Sequence, residues 1–355
     1  MEFLSRLRRQ DWWLNGALAV LALVSFVSIA SARPELAYLQ GVWYAAGFVV
    51  IAVVGTTDLR PLLSYRWVAL AGYLGVVLLL AATLLVAPEV RGTRSWIPLG
   101  PFQLQSAELA KVMLIILWAY FFARRHMRIA HLQTLLISFS YLLAPVALIM
   151  AQPDWGSAMV LLGLWAGYLL VSGIRWRHLA TGFLMLAAVA GLTWQFFLAP
   201  YQQERILGFL DPSYDPLGIN YSVIQSKIAI GSAGWLGKGF AQGTQVQLGF
   251  LTEPATDFIF ASLTEEWGLI GALLVIGSFG VLVARTVRTG LCSEDAFSQF
   301  LCLGTALLFL IEFAFNMGST LGLLPVVGVT FPFFSYGGSS LLTKCLLLGV
   351  VQSIA

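Results

Sequence analysis

Charge is scarce in this sequence: Asp, Glu, Lys and Arg make up 10% of its 355 residues, whereas a soluble domain carries roughly 25%. A water-soluble fold is thereby excluded. Cysteine is scarce as well. Cys292, Cys302 and Cys345 show neither a paired spacing nor a C-x-x-C unit, which excludes a disulfide framework or zinc site and leaves them as small apolar filler. Excess positive charge is lacking too: the net charge is +3 and the basic residues are dispersed among apolar runs, so nucleic acid is not an expected partner. No internal repeat is evident, and no stretch is long and polar enough for a separate soluble domain.

What the chain has instead is apolar length, with 59% hydrophobic residues. Long apolar runs occur at 13–31, 38–56, 66–87, 105–123, 131–151, 155–173, 179–199, 258–284, 296–316 and 320–355. Each span needs about 20 such residues, so the expected fold is an all-α integral membrane protein, a polytopic bundle of about ten transmembrane helices forming one domain over residues 1–355. The first run follows Arg6, Arg8 and Arg9 and ends at Ala30-Ser31-Ala32, which resembles a signal-peptidase site. It exceeds the roughly 7–15 apolar residues of a cleaved signal, so a retained first helix is expected. The last run holds Pro325 and Pro332, which interrupt helical hydrogen bonding and predict a broken span.

Orientation follows from basic residues in alternate loops. With the N-terminus inside, the cytoplasmic segments hold Arg6, Arg8, Arg9, Arg60, Arg66, Arg124, Arg125, Arg128, Arg175, Arg177, Arg285 and Arg288. The outer segments hold only Arg33, Arg91, Arg94, Arg205, Lys227 and Lys238. Both termini are therefore expected in the cytoplasm. The two long connections, 88–104 and 200–257, then lie outside, and the second carries an amphipathic stretch near 221–230 suited to the interface. With no bulk in the cytoplasm, a machine driven by cytosolic ATP is disfavoured.

Ionisable groups within apolar spans are costly and mark candidate sites: Glu108, Lys111, Asp154, Asp257, Glu265, Glu266, Glu312 and Lys344. Asp257 and Asp154 fall near the same outer face. Glu108 and Lys111 lie three apart, on one helical face, and can pair structurally or serve a substrate. All three histidines, His126, His131 and His178, fall on the cytoplasmic side, so a general base outside must be a carboxylate. Asp257, where a loop meets the hydrocarbon edge, is the best placed, and it is equally placed to cap the helix that follows. Arg91, Arg94, Lys227 and Lys238 are available for phosphate or for lipid headgroups. The Gly231–Gly239 segment is not a phosphate loop, since G-x-x-x-x-G-K-[ST] requires Gly at Ser232 and Ser or Thr at Gly239. Phe331 to Ser340 clusters prolines, glycines and hydroxyls inside an apolar run, as cavity-lining breaks do.

Seven segments, in order, resemble one family, the SEDS membrane proteins (shape, elongation, division, sporulation). They are Arg94-Ser95-Trp96-Ile97-Pro98-Leu99-Gly100, Gln103 to Lys111, Gln152-Pro153-Asp154-Trp155-Gly156-Ser157-Ala158, Gln225 to Ser232, Thr256-Asp257-Phe258-Ile259-Phe260-Ala261, Glu265-Glu266-Trp267-Gly268, and Phe331 to Ser340. Total length looks more like the elongation branch than the division branch. The resemblance implies a peptidoglycan glycosyltransferase in the bacterial plasma (inner) membrane, polymerising lipid II at the extracytoplasmic face and releasing undecaprenyl pyrophosphate. It also implies a class B penicillin-binding protein as partner, a divalent cation (Mg or Mn) with no organic cofactor, and Asp257 as the required aspartate. Arg94, Glu108, Lys111, Asp154, Lys227 and Ser339 are the expected substrate-binding residues. One departure is that Ala255 stands where the family pattern has a histidine, which removes an accessory acid or base. A lipid flippase and a non-catalytic scaffold for the penicillin-binding protein are the competing readings.

Overall fold

The computed structural model describes residues 10–90, 92–100, 102–125, 132–173 and 220–355, with scattered positions between 177 and 218. Most of the expected span 179–199, the three histidines and Arg91 lie outside the described residues. Helices α1 (Trp12–Ala32), α2 (Pro34–Gly55), α3 (Arg66–Val86), α4 (Ser106–Ala123) and α5 (Leu132–Ala151) follow the expected apolar runs closely. So does α6 (Trp155–Val171), and a shorter α7 (Tyr221–Gly231) forms where the amphipathic stretch was expected. Then come α8 (Ile259–Cys292), α9 (Ala296–Thr320) and α10 (Gly338–Ile354). Seven of these are long and apolar enough to cross a membrane; α6 and α10, with 17 residues each, are about 26 Å long.

Aspartates start three of the helices by accepting the main-chain N–H groups that a first turn leaves unpaired. Asp11 caps α1, Asp154 caps α6 and Asp295 caps α9. Ala30-Ser31-Ala32 closes α1, which packs along α8 inside the bundle. Between α3 and α4, the connection forms an antiparallel hairpin, β1 (Trp96–Leu99) and β2 (Phe102–Gln105), with Trp96 opposite Gln105. The hairpin is held to the helices by an edge-to-face contact of Phe102 on Trp43, 5.9 Å between centroids.

Two elements differ from expectation. The apolar run at 320–355 is not one broken helix: residues 321–337 carry turns and extended backbone, with Phe333 at φ 59, and helix resumes only at Gly338. Its freed carbonyls are met by neighbouring helices. Tyr44 on α2 donates to the Phe333 carbonyl at 2.5 Å and Ser25 on α1 to the Phe334 carbonyl at 2.6 Å, which is how irregular backbone is tolerated at membrane depth. The run at 258–284 becomes a longer helix that takes in Arg285 and Arg288 and kinks at Gly268 (φ 66, ψ −166).

That kink is repaired from outside the helix. Lys238 and Gly239 donate their main-chain N–H groups to the carbonyls of Glu265 and Glu266 at 2.9 and 3.0 Å. Leu269 and Ile270 donate to the carbonyls of Gly234 and Trp235 at 3.0 and 3.2 Å. The backbones approach so closely that a Cβ at Gly268 would sit 2.3 Å from the Trp235 carbonyl oxygen. We therefore expect Gly268→Ala to cost at least about 1–3 kcal/mol, the range for a non-glycine residue forced into such a conformation, measured as a lowered unfolding midpoint in detergent. An unchanged midpoint would mean that the kink relaxes at no cost.

At the end of the bundle bearing the N-terminus of α1, Arg285 pairs with Asp11 at 2.5 Å. Gln352 accepts from the Asp11 N–H at 2.8 Å, so α1, α8 and α10 are tied together there. All the residues discussed next belong to the opposite end or to the interior just below it.

Candidate functional site

Asp257 is half-buried in the turn before α8. Phe258, with φ −112 and ψ 23, occupies the cap position of this helix, one residue after Asp257. The main chain around Asp257 is pinned. Its carbonyl accepts from Asn316 Nδ2 at 3.0 Å and Thr320 Oγ1 at 3.4 Å, both on α9. The Thr256 carbonyl accepts from Ser335 Oγ at 2.6 Å, and the Ala255 carbonyl from the Tyr336 N–H at 2.9 Å. The carboxylate is thus carried on backbone clamped between the end of α9 and the irregular 331–336 segment. Asn316 is the keystone, because the same amide also donates to the Val329 carbonyl at 3.0 Å. Asn316→Ala is expected to lower stability by about 1–3 kcal/mol, since the Val329 carbonyl loses this donor and the Asp257 carbonyl keeps only the long bond from Thr320, and to depress turnover by loosening Asp257. Stability and initial rate measured on the same preparation check both effects.

Lys227 stands at the same helix end. Its neighbour Ser226 donates to the Thr320 carbonyl at 2.8 Å, and the Lys227 Cε and Nζ lie over Gly322, 2.5 Å from where a Cβ would be. Gly322 also has φ 69, where a side chain would be strained, so glycine suits this crossing. Because Thr320 binds the Ser226 side on its carbonyl and the Asp257 main chain with its hydroxyl, Lys227 and Asp257 flank one point of the structure. Lys227 is exposed.

Asp154 and Ser339 are joined through Gln105. Asp154 accepts from the Ser157 N–H at 3.1 Å, from Ser157 Oγ at 2.8 Å and from Gln105 Nε2 at 2.9 Å. The Gln105 main chain donates to Ser339 Oγ at 3.4 Å. The hairpin, α6 and α10 are locked together by this set. Arg94 sits on the hairpin's approach strand, its N–H on the Gln152 carbonyl at 3.3 Å. Among the described residues its guanidinium pairs only with Glu89, at 3.3 Å, and both side chains are more than half exposed. So weak a surface pair leaves Arg94 open to a phosphate.

Glu108 and Lys111 go elsewhere. They meet at 2.7 Å, and Lys111 also bonds Glu312 of α9 at 2.6 Å. Lys344 of α10 completes the group, 3.1 Å from Glu312 and 3.6 Å from Glu108. Two acids and two bases from three helices neutralise one another with almost no exposure. Lys111, expected to face a lipid diphosphate, has its charge taken up by two carboxylates, and Glu108 likewise faces inward. Lys344 further bonds Ser340 Oγ, and Ser340 meets Thr330 Oγ1 at 3.3 Å, so the quartet is continuous with the segment that clamps Asp257.

Lys238 is also taken. Buried Glu265 binds its Nζ at 2.6 Å and accepts the N–H groups of Gln245 and Val246. Glu266 bonds Ser31 of α1 at 2.5 Å. These adjacent acids fasten the 237–247 loop to α8 and α1. Asn316 and Thr320 were missed from sequence; Glu312 and Lys344 stood out as ionisable groups and Ser335 lay in the Phe331 to Ser340 segment, but their partners were not foreseen. Two lysines inside spans, each costly unless paired, were the available signal for the quartet. Among the described residues no three His, Cys, Asp or Glu side chains converge to hold an ion.

The sequence profile of the FtsW/RodA/SpoVE family, described as cell cycle protein, matches residues 10–355. The chain belongs to this family. Among curated members it is 36% identical over 366 residues to the probable peptidoglycan glycosyltransferase FtsW of Saccharophagus degradans, covering 97% of this chain and 92% of that one. It is equally identical, 36% over 312 residues, to the peptidoglycan glycosyltransferase MrdB of Escherichia coli, covering 87% and 83%. Identity therefore does not separate the branches that these two members represent. Among solved structures, a chain of a peptidoglycan synthase complex in which polymerization and crosslinking are coordinated superposes with a TM-score of 0.84 at 34% identity, covering 97% of both chains. A polytopic helical membrane protein of this family is the fold observed.

Proposed function

We propose that this chain is a peptidoglycan glycosyltransferase that joins lipid-linked sugars with Asp257 as general base. The observation carrying the reading is that Asp257 sits on clamped backbone beside exposed Lys227, with Arg94 available at the same end of the bundle. The acceptor sugar's 4-hydroxyl oxygen attacks the anomeric carbon of the donor and its proton passes to Asp257. The bond from that carbon to the diphosphate oxygen breaks, and undecaprenyl pyrophosphate leaves. Lys227 and Arg94 meet the charge that develops on the diphosphate, where fixed cations stabilise such oxygens strongly. Asp154 and Ser339 hold the surrounding elements in place. A divalent cation, magnesium or manganese, would come with the lipid diphosphate and would supply further positive charge beside Lys227 and Arg94.

Sidedness follows from charge. Arg60, Arg66, Arg124, Arg125, Arg285 and Arg288 gather at the end away from Asp257, and such ends face the cytoplasm. The site then opens outside the plasma membrane, where the transpeptidase domain of a class B penicillin-binding protein would receive the strands. The test uses purified protein in liposomes carrying fluorescent lipid II. Glycan strands made without lipid crossing the bilayer support the enzyme. Crossing without polymer would support a flippase, and neither event, despite binding of the penicillin-binding protein, a scaffold. In this assay Lys227→Met and Arg94→Gln are each expected to reduce the rate by roughly 10²-fold, the lower end of the range for one charge-stabilising donor.

A further inference from the structure

At the basic end of the bundle, remote from Asp257, a cavity of about 210 Å³ opens between α3, α4 and α5. Its mouth is formed by Arg66, the first residue of α3, and by Arg124 and Arg125 at the end of α4. These arginines lie far apart in sequence, yet the packing of α3 against α4 brings them to one opening. Each guanidinium is propped on an aromatic ring: Arg66 on Trp67 at 5.1 Å, Arg124 on Tyr120 at 4.6 Å, Arg125 on Phe121 at 4.9 Å. Such contacts orient a cation without neutralising it. Among the described residues no carboxylate pairs with any of the three, although Arg60 and Arg285 at the same end do have acidic partners. Below the mouth the wall becomes apolar, through Leu70, Leu117 and Tyr141.

We infer that this cavity is a binding site for an anionic phospholipid, the phosphate held by Arg66, Arg124 and Arg125 and the acyl chains continuing along the apolar wall. A simple excess of positive charge at a membrane boundary needs no concavity. Three unpaired, oriented guanidiniums above an apolar floor match an amphipathic anion better than a soluble one, and basic pockets between spans are where acidic headgroups lodge. Arginine suits the role because its planar fork binds phosphate oxygens in pairs. The inference does not depend on the glycosyltransferase reading.

The test is native mass spectrometry of the full chain in detergent, titrated in parallel with phosphatidylglycerol, phosphatidylcholine and inorganic phosphate. Wild type should retain phosphatidylglycerol in clear preference to phosphatidylcholine, and inorganic phosphate at equal concentration should not displace it. Arg124→Gln with Arg125→Gln should weaken retention by roughly 30-fold, from ~1 kcal/mol for each arginine removed. The control, Arg60→Gln with Arg288→Gln, removes the same charge at the same end and should leave retention near wild type. Equal retention of the two lipids by wild type, displacement by inorganic phosphate, or an equal loss in the control would each overturn the proposal.

Discussion

Glu312→Gln or Lys344→Met should lower the unfolding free energy of this protein by about 3–5 kcal/mol, because each leaves an uncompensated charge in a closed interior group. Glu108, Lys111, Glu312 and Lys344 are shut away from bulk solvent, Glu312 fully buried and Lys344 only 1% exposed. Removing one member leaves a net charge on the remaining three. Removing an acid and a base together restores neutrality, so the double variant Glu312→Gln with Lys344→Met should lose clearly less than the two single losses combined. Reversible unfolding in micelles, arranged as a double-mutant cycle, measures this directly. Additive losses would mean that the four groups do not act as a unit. Because the quartet continues through Ser340 to the segment clamping Asp257, the single variants should also lose turnover, more than the double variant does.

Much of this architecture is legible in the residues themselves. Spans α1 to α6 are continuous apolar stretches ended by aspartate caps or polar turns, and a hydropathy window finds them. The same window fails at 321–337, where leucine, valine and phenylalanine read as membrane helix although Gly328 and Phe333 take left-handed backbone and Pro325 and Pro332 cannot donate. Packing supplied by Tyr44 and Ser25, 289 and 309 residues away, makes that geometry viable. No local pattern encodes it. The kink at Gly268 is equally hidden, since a glycine in an apolar run reads as a helix-packing residue until the 234–239 loop is seen against it.

The candidate site divides in the same way. Asp257 stands out as a carboxylate at a loop-to-span boundary, and Arg94 and Lys227 as cations on the same side. Lys111 looks like a further cation until its partner Glu312, 201 positions along the chain, is brought against it. Asp154 looks like a candidate for chemistry, but its oxygens are spent on a helix cap and on Gln105. Burial and long-range pairing decide these cases, and neither is a property of a short motif.

Asp257→Asn is expected to reduce strand synthesis by about 10²- to 10⁴-fold, the usual contribution of a positioned base. The loss should fall on kcat and leave KM nearly unchanged, because the amide keeps the shape of the carboxylate and only the proton acceptor is lost. Folding should be preserved because Asn316 and Thr320 grip the main-chain carbonyl of residue 257, bonds that the substitution leaves in place. The decisive measurement is therefore gel analysis of glycan strands made from purified lipid II by Asp257→Asn protein whose unfolding midpoint equals that of wild type. No strands, or only traces after long incubation, is the predicted result. Strands accumulating at the wild-type rate would contradict Asp257 as the base.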